Sequence, residues 1–241
     1  MNLEFILVGC IAYLAGFVQG LSGFGSALVA MPLLLQFLPA KVATPFCILI
    51  GLVITSFLSL NLKNHLDWKK IGPIFIGCLP GILLGTYILK TVEDLIIKKL
   101  LGLILIFYST YKLFIVARPK KLNPFWGVIA GFLTGTIGAA FSAGGPPTII
   151  YTSLTNWQKD EIKATLSGFF FLTGLLIATA HLFMGITTTK VVKLFGIGVI
   201  PVIVGTYTGN KIYKKLSHTN YLRIIYLLLF LMGLLLIMPS L

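Results

Sequence analysis

Two short runs carry the residues best suited to chemistry: Ser22-Gly23-Phe24-Gly25-Ser26 and Ser142-Ala143-Gly144-Gly145-Pro146-Pro147-Thr148. Each sits between apolar stretches, where glycine, serine and proline together break a helix and start another. A new helix N-terminus presents backbone N–H groups without intrahelical partners and the positive end of the helix dipole. Together these bind an anion without any cationic side chain. The hydroxyls of Ser22, Ser26, Ser142 and Thr148 can add hydrogen bonds, and Pro146 and Pro147 suit the first turn of the restarting helix. We therefore take Ser22, Gly23, Phe24, Gly25, Ser26, Ser142, Gly144, Gly145, Pro146 and Thr148 as candidate substrate-binding residues.

Other polar residues are sparser. Gln19, Thr44, Asn61, Tyr151, Thr165 and His181 are candidates for a pathway or gate, although hydrogen bonds between helices explain such residues equally well. No carboxylate lies inside an apolar run to announce a proton relay. No Cys/His/Asp/Glu spacing suggests a metal, and no cofactor motif is present. Cys10, Cys47 and Cys78 read as packing residues. Gly20-Leu21-Ser22-Gly23 has the form found around the serine of rhomboid intramembrane proteases, with His181 as the base such a hydrolase needs. A non-transporting membrane scaffold is the remaining alternative.

The elements that must hold these residues follow from composition. Of 241 residues, 57% are hydrophobic and 10% charged, with a mean hydropathy of +1.00, too apolar to cover a water-soluble surface. The stretches 42–62, 71–89, 164–189, 194–210 and 224–241 contain no charge and match the ~17–25 residues needed to cross a bilayer. They lack the period-2 alternation of a membrane barrel, so the fold class is an all-α polytopic membrane protein. The net charge of +13 comes from Lys and Arg between apolar runs, where they set topology, which argues against nucleic acid as a partner. Leu3–Gly20 imitates a signal peptide but lacks a basic start and carries Glu4, so cleavage is not expected.

The chain also repeats itself. At an offset of 115, Gly16, Phe17, Gly20, Gly23 and Pro32 meet Gly131, Phe132, Gly135, Gly138 and Pro147. Further on, Ala43-Thr44 meets Ala164-Thr165, Asn61 meets His181, and Gly85-Thr86-Tyr87 meets Gly205-Thr206-Tyr207. In the paired halves Ser22 falls opposite Ile137 and His181 opposite Asn61, so the shared feature is the glycine break and not a Ser–His dyad. The expected units are a first transmembrane repeat, 1–117, a basic cytoplasmic linker, 118–124, and a second repeat, 125–241. Each opens with a re-entrant glycine-rich hairpin, because the second arm Phe24–Leu38 is only about 22 Å of helix. Spans follow at 42–62, 71–90 and 96–117, then a hairpin over 125–157 and spans at 164–186, 192–210 and 222–240, giving 8–10 membrane segments. With an odd number of crossings per half, Lys41, Lys90, Lys98, Lys99, Lys190 and Lys193 fall on one side and the other 13 of the 19 basic residues on the opposite side. Four crossings per half would split them 9 against 10, which sets no orientation. The asymmetry predicts inverted repeats in a cell (inner) membrane with both termini non-cytoplasmic. Gly16, Gly20, Gly131 and Gly135, at four-residue spacing, are assigned to close helix packing.

The segments GFVQGLSGFGSALVAMPLL and GFLTGTIGAAFSAGGPPTIIY are similar to the paired glycine-rich signatures of the TauE/SafE family of sulfite exporters. The likeness extends to the Ala-Thr pairs, His65-Leu66-Asp67-Trp68 and the two Gly-Thr-Tyr segments, and so to nearly the whole chain. It implies secondary transport of a small anion such as sulfite, a sulfonate or sulfoacetate. Gly23-Phe24-Gly25-Ser26 departs from the fuller glycine run of many members and leaves a larger side chain near the site. The expectation is a transporter, not an enzyme, that exports a small anion by alternating access between the two breaks. Its partners are that anion and the lipid bilayer, with homo-oligomerisation left open.

Overall fold

A computed structural model describes residues 3–61, 68–115, 122–155, 157, 159–213 and 218–238, and every regular element among them is an α-helix. The order is α1 (Leu3–Ser22), α2 (Ser26–Leu34), α3 (Ala40–Asn61), α4 (Trp68–Thr91), α5 (Asp94–Phe114), α6 (Pro124–Phe141), α7 (Gly145–Ser153), α8 (Lys159–Phe183), α9 (Thr189–Tyr213) and α10 (His218–Ile237). Among the described residues, six of these helices (α1, α3, α4, α6, α8 and α9) are long and apolar enough to cross a membrane. The chain is a multi-pass membrane protein. The basic linker lies largely outside the described residues.

α2 and α7 have 9 residues each, about 13 Å at 1.5 Å per residue. The second arms are therefore half-helices, shorter than the 15 residues expected of Phe24–Leu38. α2 ends at Leu34, ahead of Pro39, which disfavours helical backbone at Leu38 and so bars any continuation into α3. The chain turns over Leu35–Phe37, and the N–H groups of Phe37 and Leu38 both return to the Leu34 carbonyl at 3.1 and 2.7 Å. The first arms α1 and α6, by contrast, are each long enough to cross on their own.

The halves also align differently from the sequence matches. α1 ends at Ser22 and α6 at Phe141, α2 begins at Ser26 and α7 at Gly145, and α3 begins at Ala40 and α8 at Lys159. Each pair is offset by 119, one helical turn from the 115 of the glycine matches. Small residues recur every four positions on both helices, so a one-turn slip still pairs glycine with glycine. At the structural offset Gly16 answers Gly135, and Gly23 answers Ser142.

Packing follows the small residues and crosses between halves. α1 lies along α9, and its equivalent α6 lies along α4, the equivalent of α9. A Cβ on Gly16 would collide with the Val202 carbonyl, and one on Gly20 with the Thr206 carbonyl. On α6, Gly131 and Gly135 approach the carbonyls of Ile74 and Cys78 in the same way. All four glycines thus take the packing role their spacing predicts, because only a missing side chain lets the backbones come this close. α5 and α10 run antiparallel: Gly102 faces Gly233, and Tyr108 meets Tyr226 edge-on with ring centroids 6.0 Å apart. α3 and α8 cross where Gly174 meets Leu52, near the middle of both.

Candidate functional site

The first break is built by α1. The Gly23 N–H returns to the Gln19 carbonyl at 2.7 Å with φ 81°, a left-handed helix end that glycine adopts without strain. The Ser22 hydroxyl lies 2.8 Å from the Val18 carbonyl and 2.5 Å from the Phe24 carbonyl, and accepts the Phe24 N–H at 3.3 Å. Ser22 is thus occupied in holding the break. Gly25, at φ 92°, turns the chain into α2, and the Ser26 N–H donates to Gln19 Oε1 at 3.3 Å.

The second break uses other residues for the same turn. Ser142 takes the left-handed conformation, φ 55°, and its N–H returns to the Gly138 carbonyl at 2.8 Å. It is the one non-glycine residue with positive φ among the described residues. Gly144 starts α7 with right-handed backbone, packed so tightly on α6 that a Cβ would meet the Thr134 carbonyl and lie 2.9 Å from Gly138 Cα. The hydroxyls of Thr134 and Thr148 bond each other, buried beneath α7. The last carbonyls of α6, which a helix end leaves without partners, are taken by neighbouring helices. His181 Nε2 on α8 lies 3.0 Å from the Ala139 carbonyl, and the Thr44 hydroxyl on α3 donates to the Ala140 carbonyl at 3.4 Å. Since a carbonyl only accepts, His181 carries its proton on Nε2. Ser22 and His181 therefore bond backbone groups and not each other, which removes the hydrolase reading.

Both breaks face one cavity of about 90 Å³. The first contributes Phe24, Gly25, Ser26, Ala27 and Leu28, and the second Ser142, Ala143, Gly144 and Gly145. The walls come from α1 (Gln19), α3 (Cys47, Ile48, Gly51, Leu52, Thr55), α6 (Thr134, Gly138) and α8 (Phe170, Thr173, Gly174, Ile177). No Asp, Glu, Lys, Arg or His among the described residues borders it. Among the described residues, the N–H groups of Gly25, Ala27, Leu28, Ala143, Gly144 and Gly145 find no carbonyl partner, and all six residues line the cavity. The hydroxyls of Ser26 and Ser142 likewise bond no protein group. The arrangement offers donors to an acceptor-rich guest and no counter-charge to a cation.

Of the sequence candidates, Phe24, Gly25, Ser26, Ser142, Gly144, Gly145 and Gln19 line this cavity, whereas Ser22, Gly23 and Thr148 support it from outside. Pro146 and Tyr151 border a second, apolar cavity of about 810 Å³ between α5, α6 and α7. Thr165 is buried with no partner for its hydroxyl, and the Asn61 side chain lies outside the described residues. Thr55, Thr134 and Thr173 border the site but were not anticipated. The hydroxyls of Thr55 and Thr173 donate to carbonyls of their own helices, and a lone threonine in an apolar helix carries no sign of which way it faces.

The family described as sulfite exporter TauE/SafE matches residues 8–236. A probable sulfite/organosulfonate exporter TauE of Cupriavidus necator is 23% identical, over 93% of this chain and 90% of its own. A probable membrane transporter protein of Methanocaldococcus jannaschii is 26% identical over 93% of both chains, and one of Bacillus subtilis is 22% identical over 96% of both. No solved structure matches the chain at a significant level. The chain belongs to the sulfite exporter TauE/SafE family, whose members are membrane transporters and not enzymes.

Proposed function

We propose that this membrane transporter exports a small oxyanion, sulfite or a short organosulfonate, by alternating access at the cavity between the two broken helices. The observation that carries the reading is that both breaks meet on one cavity with, among the described residues, six free N–H groups and no charged side chain. A cavity of about 90 Å³ exceeds the ~10–15 Å³ that admits one water, and suits a compact anion better than a long one. The name of the Cupriavidus necator relative points to the same substrates. Outward movement of an anion runs down a potential that is negative inside, about 2.3 kcal/mol per charge per 100 mV. Export therefore needs no coupled ion, which accords with a cavity wall that, among the described residues, holds no Asp, Glu, Lys, Arg or His.

Alternating access requires two halves that exchange roles, and we read them as inverted repeats. The split of 13 basic residues against 6 supports this, and so does the antiparallel run of the equivalent helices α5 and α10. The same reading puts the segment 118–124 in the cytoplasm and both termini outside it. A C-terminal reporter active only in the cytoplasm would contradict it.

The test of transport is flux in proteoliposomes. Labelled sulfite or a short sulfonate should exchange across the membrane, and Gly145→Leu should abolish the exchange while the protein stays folded. That variant is suitable because a Cβ at Gly145 would meet only the Ile149 Cδ1 at 3.2 Å, so added bulk goes toward the cavity. If sulfite, sulfonates and small carboxylates all fail to move, the transport reading is wrong.

A further inference from the structure

We infer that Gln19 is the side chain by which the cavity selects an anion, and that it ties an occupant to the conformation of the first break. This rests on the transport reading above, because it names a donor of that same site. Gln19 sits on the last full turn of α1, only 5% exposed. Its backbone carbonyl accepts the Gly23 N–H at 2.7 Å, and its Oε1 accepts the Ser26 N–H at 3.3 Å. A backbone N–H can only donate, so the orientation of the amide is fixed: Oε1 faces the break and the Nε2 amine is the free end.

Gln19 borders the cavity, and among the described residues Nε2 has no protein partner, although it is not sealed from space as the orphaned buried atoms are. A buried amide left unpaired is unfavourable, a cost removed when a guest accepts its hydrogens. The amine only donates, so it favours an anionic oxygen and gives a cation nothing to hold. At the 119 offset its counterpart is Gly138, which has no side chain, so the second half supplies no equivalent amide. Because one amide joins the cavity to the Ser26 N–H, a guest that pulls on Nε2 also acts on the start of α2.

Gln19→Glu separates these roles. It keeps the size and the acceptor for Ser26 but replaces the donor with a negative oxygen. In proteoliposomes at neutral pH, methanesulfonate flux should fall at least tenfold against wild type, with the unfolding temperature nearly unchanged. Symmetric acidification should restore part of the flux, because a protonated carboxyl donates again, while methanesulfonate itself stays charged. A purely structural Gln19 would leave Gln19→Glu near wild type at every pH. Should Gln19→Glu not fold, Gln19→Met removes the amine at similar volume and should raise KM for methanesulfonate at least tenfold. An active wild type beside a Gln19→Glu or Gln19→Met variant of unchanged KM overturns this inference and leaves the transport reading standing. A wild type that moves no anion overturns both.

Discussion

The two breaks occupy equivalent places and make the same turn, yet they are made of different chemistry. The first uses two left-handed glycines, Gly23 and Gly25, and leaves the N–H groups of Gly25, Ala27 and Leu28 on the cavity that Gln19 also borders. The second uses a left-handed serine and a right-handed glycine wedged against α6, followed by Pro146 and Pro147, which have no N–H to offer. Their surroundings differ as well. α2 packs against α10, whereas the face of α7 that carries Pro146 and Ile150 borders an apolar cavity toward α5. The fold repeats between the halves but the side chains do not: each break brings three unpartnered N–H groups to the cavity, the first adds the Gln19 amide, and the second is fixed by packing and a threonine pair.

That contrast breaks most sharply at glycine. Gly144→Ala would push a Cβ into backbone, the Thr134 carbonyl and Gly138 Cα and N at 2.9 and 3.0 Å, atoms that cannot rotate away. It should destabilise the protein by about 3 kcal/mol, read as a large fall in unfolding temperature. Gly25→Ala meets nothing closer than 3.9 Å but must hold φ near 92°, a strain of about 1–2 kcal/mol. Thermal unfolding in detergent should rank Gly144→Ala as the more damaging. The reverse order would mean that the second break is not the one held by contact.

The next effect is smaller and tests whether support and binding are separable. Thr148→Val removes one hydroxyl of the buried Thr134–Thr148 pair at nearly constant volume. It should lower stability by about 1 kcal/mol with flux close to wild type, because Thr148 lies outside the cavity lining. Flux lost without loss of stability would move Thr148 into the site.

Much of this was legible in the sequence for a physical reason. Glycine, serine and proline crowd together in these two apolar runs where a membrane helix stops, so the breaks and the part of the cavity wall they contribute could be named from residues 22–26 and 142–148, whereas the walls from α3, α6 and α8 could not. The packing glycines followed from their spacing. The offset between the halves did not, because a four-residue repeat of small residues matches itself after a slip of one turn. Thr55 and Thr173 were hidden for another reason. Facing the cavity depends on where α3 crosses α8, and that crossing depends on a close approach, Gly174 against Leu52, between residues far apart in the chain. His181 and Thr44 are candidates for a pathway or gate by sequence, but neither borders the cavity, and that they take up the carbonyls at the end of α6 appears only when the three helices are brought together.

Ser142 gives the smallest effect on stability and the most pointed test of the division between the breaks. A serine at φ 55° costs on the order of 1–2 kcal/mol relative to glycine at the same backbone angle, while glycine loses roughly 0.5–1 kcal/mol more on ordering. Ser142→Gly should therefore raise stability by less than about 1 kcal/mol, and the second break would then resemble the first. The strained serine brings a cavity-lining hydroxyl, the one side-chain donor of the second break that nothing in the protein uses. Its removal should weaken binding of a sulfonate severalfold, read as a higher KM with little change in the maximal rate. A variant that is more stable and transports with unchanged KM would show that the second break binds through its backbone alone.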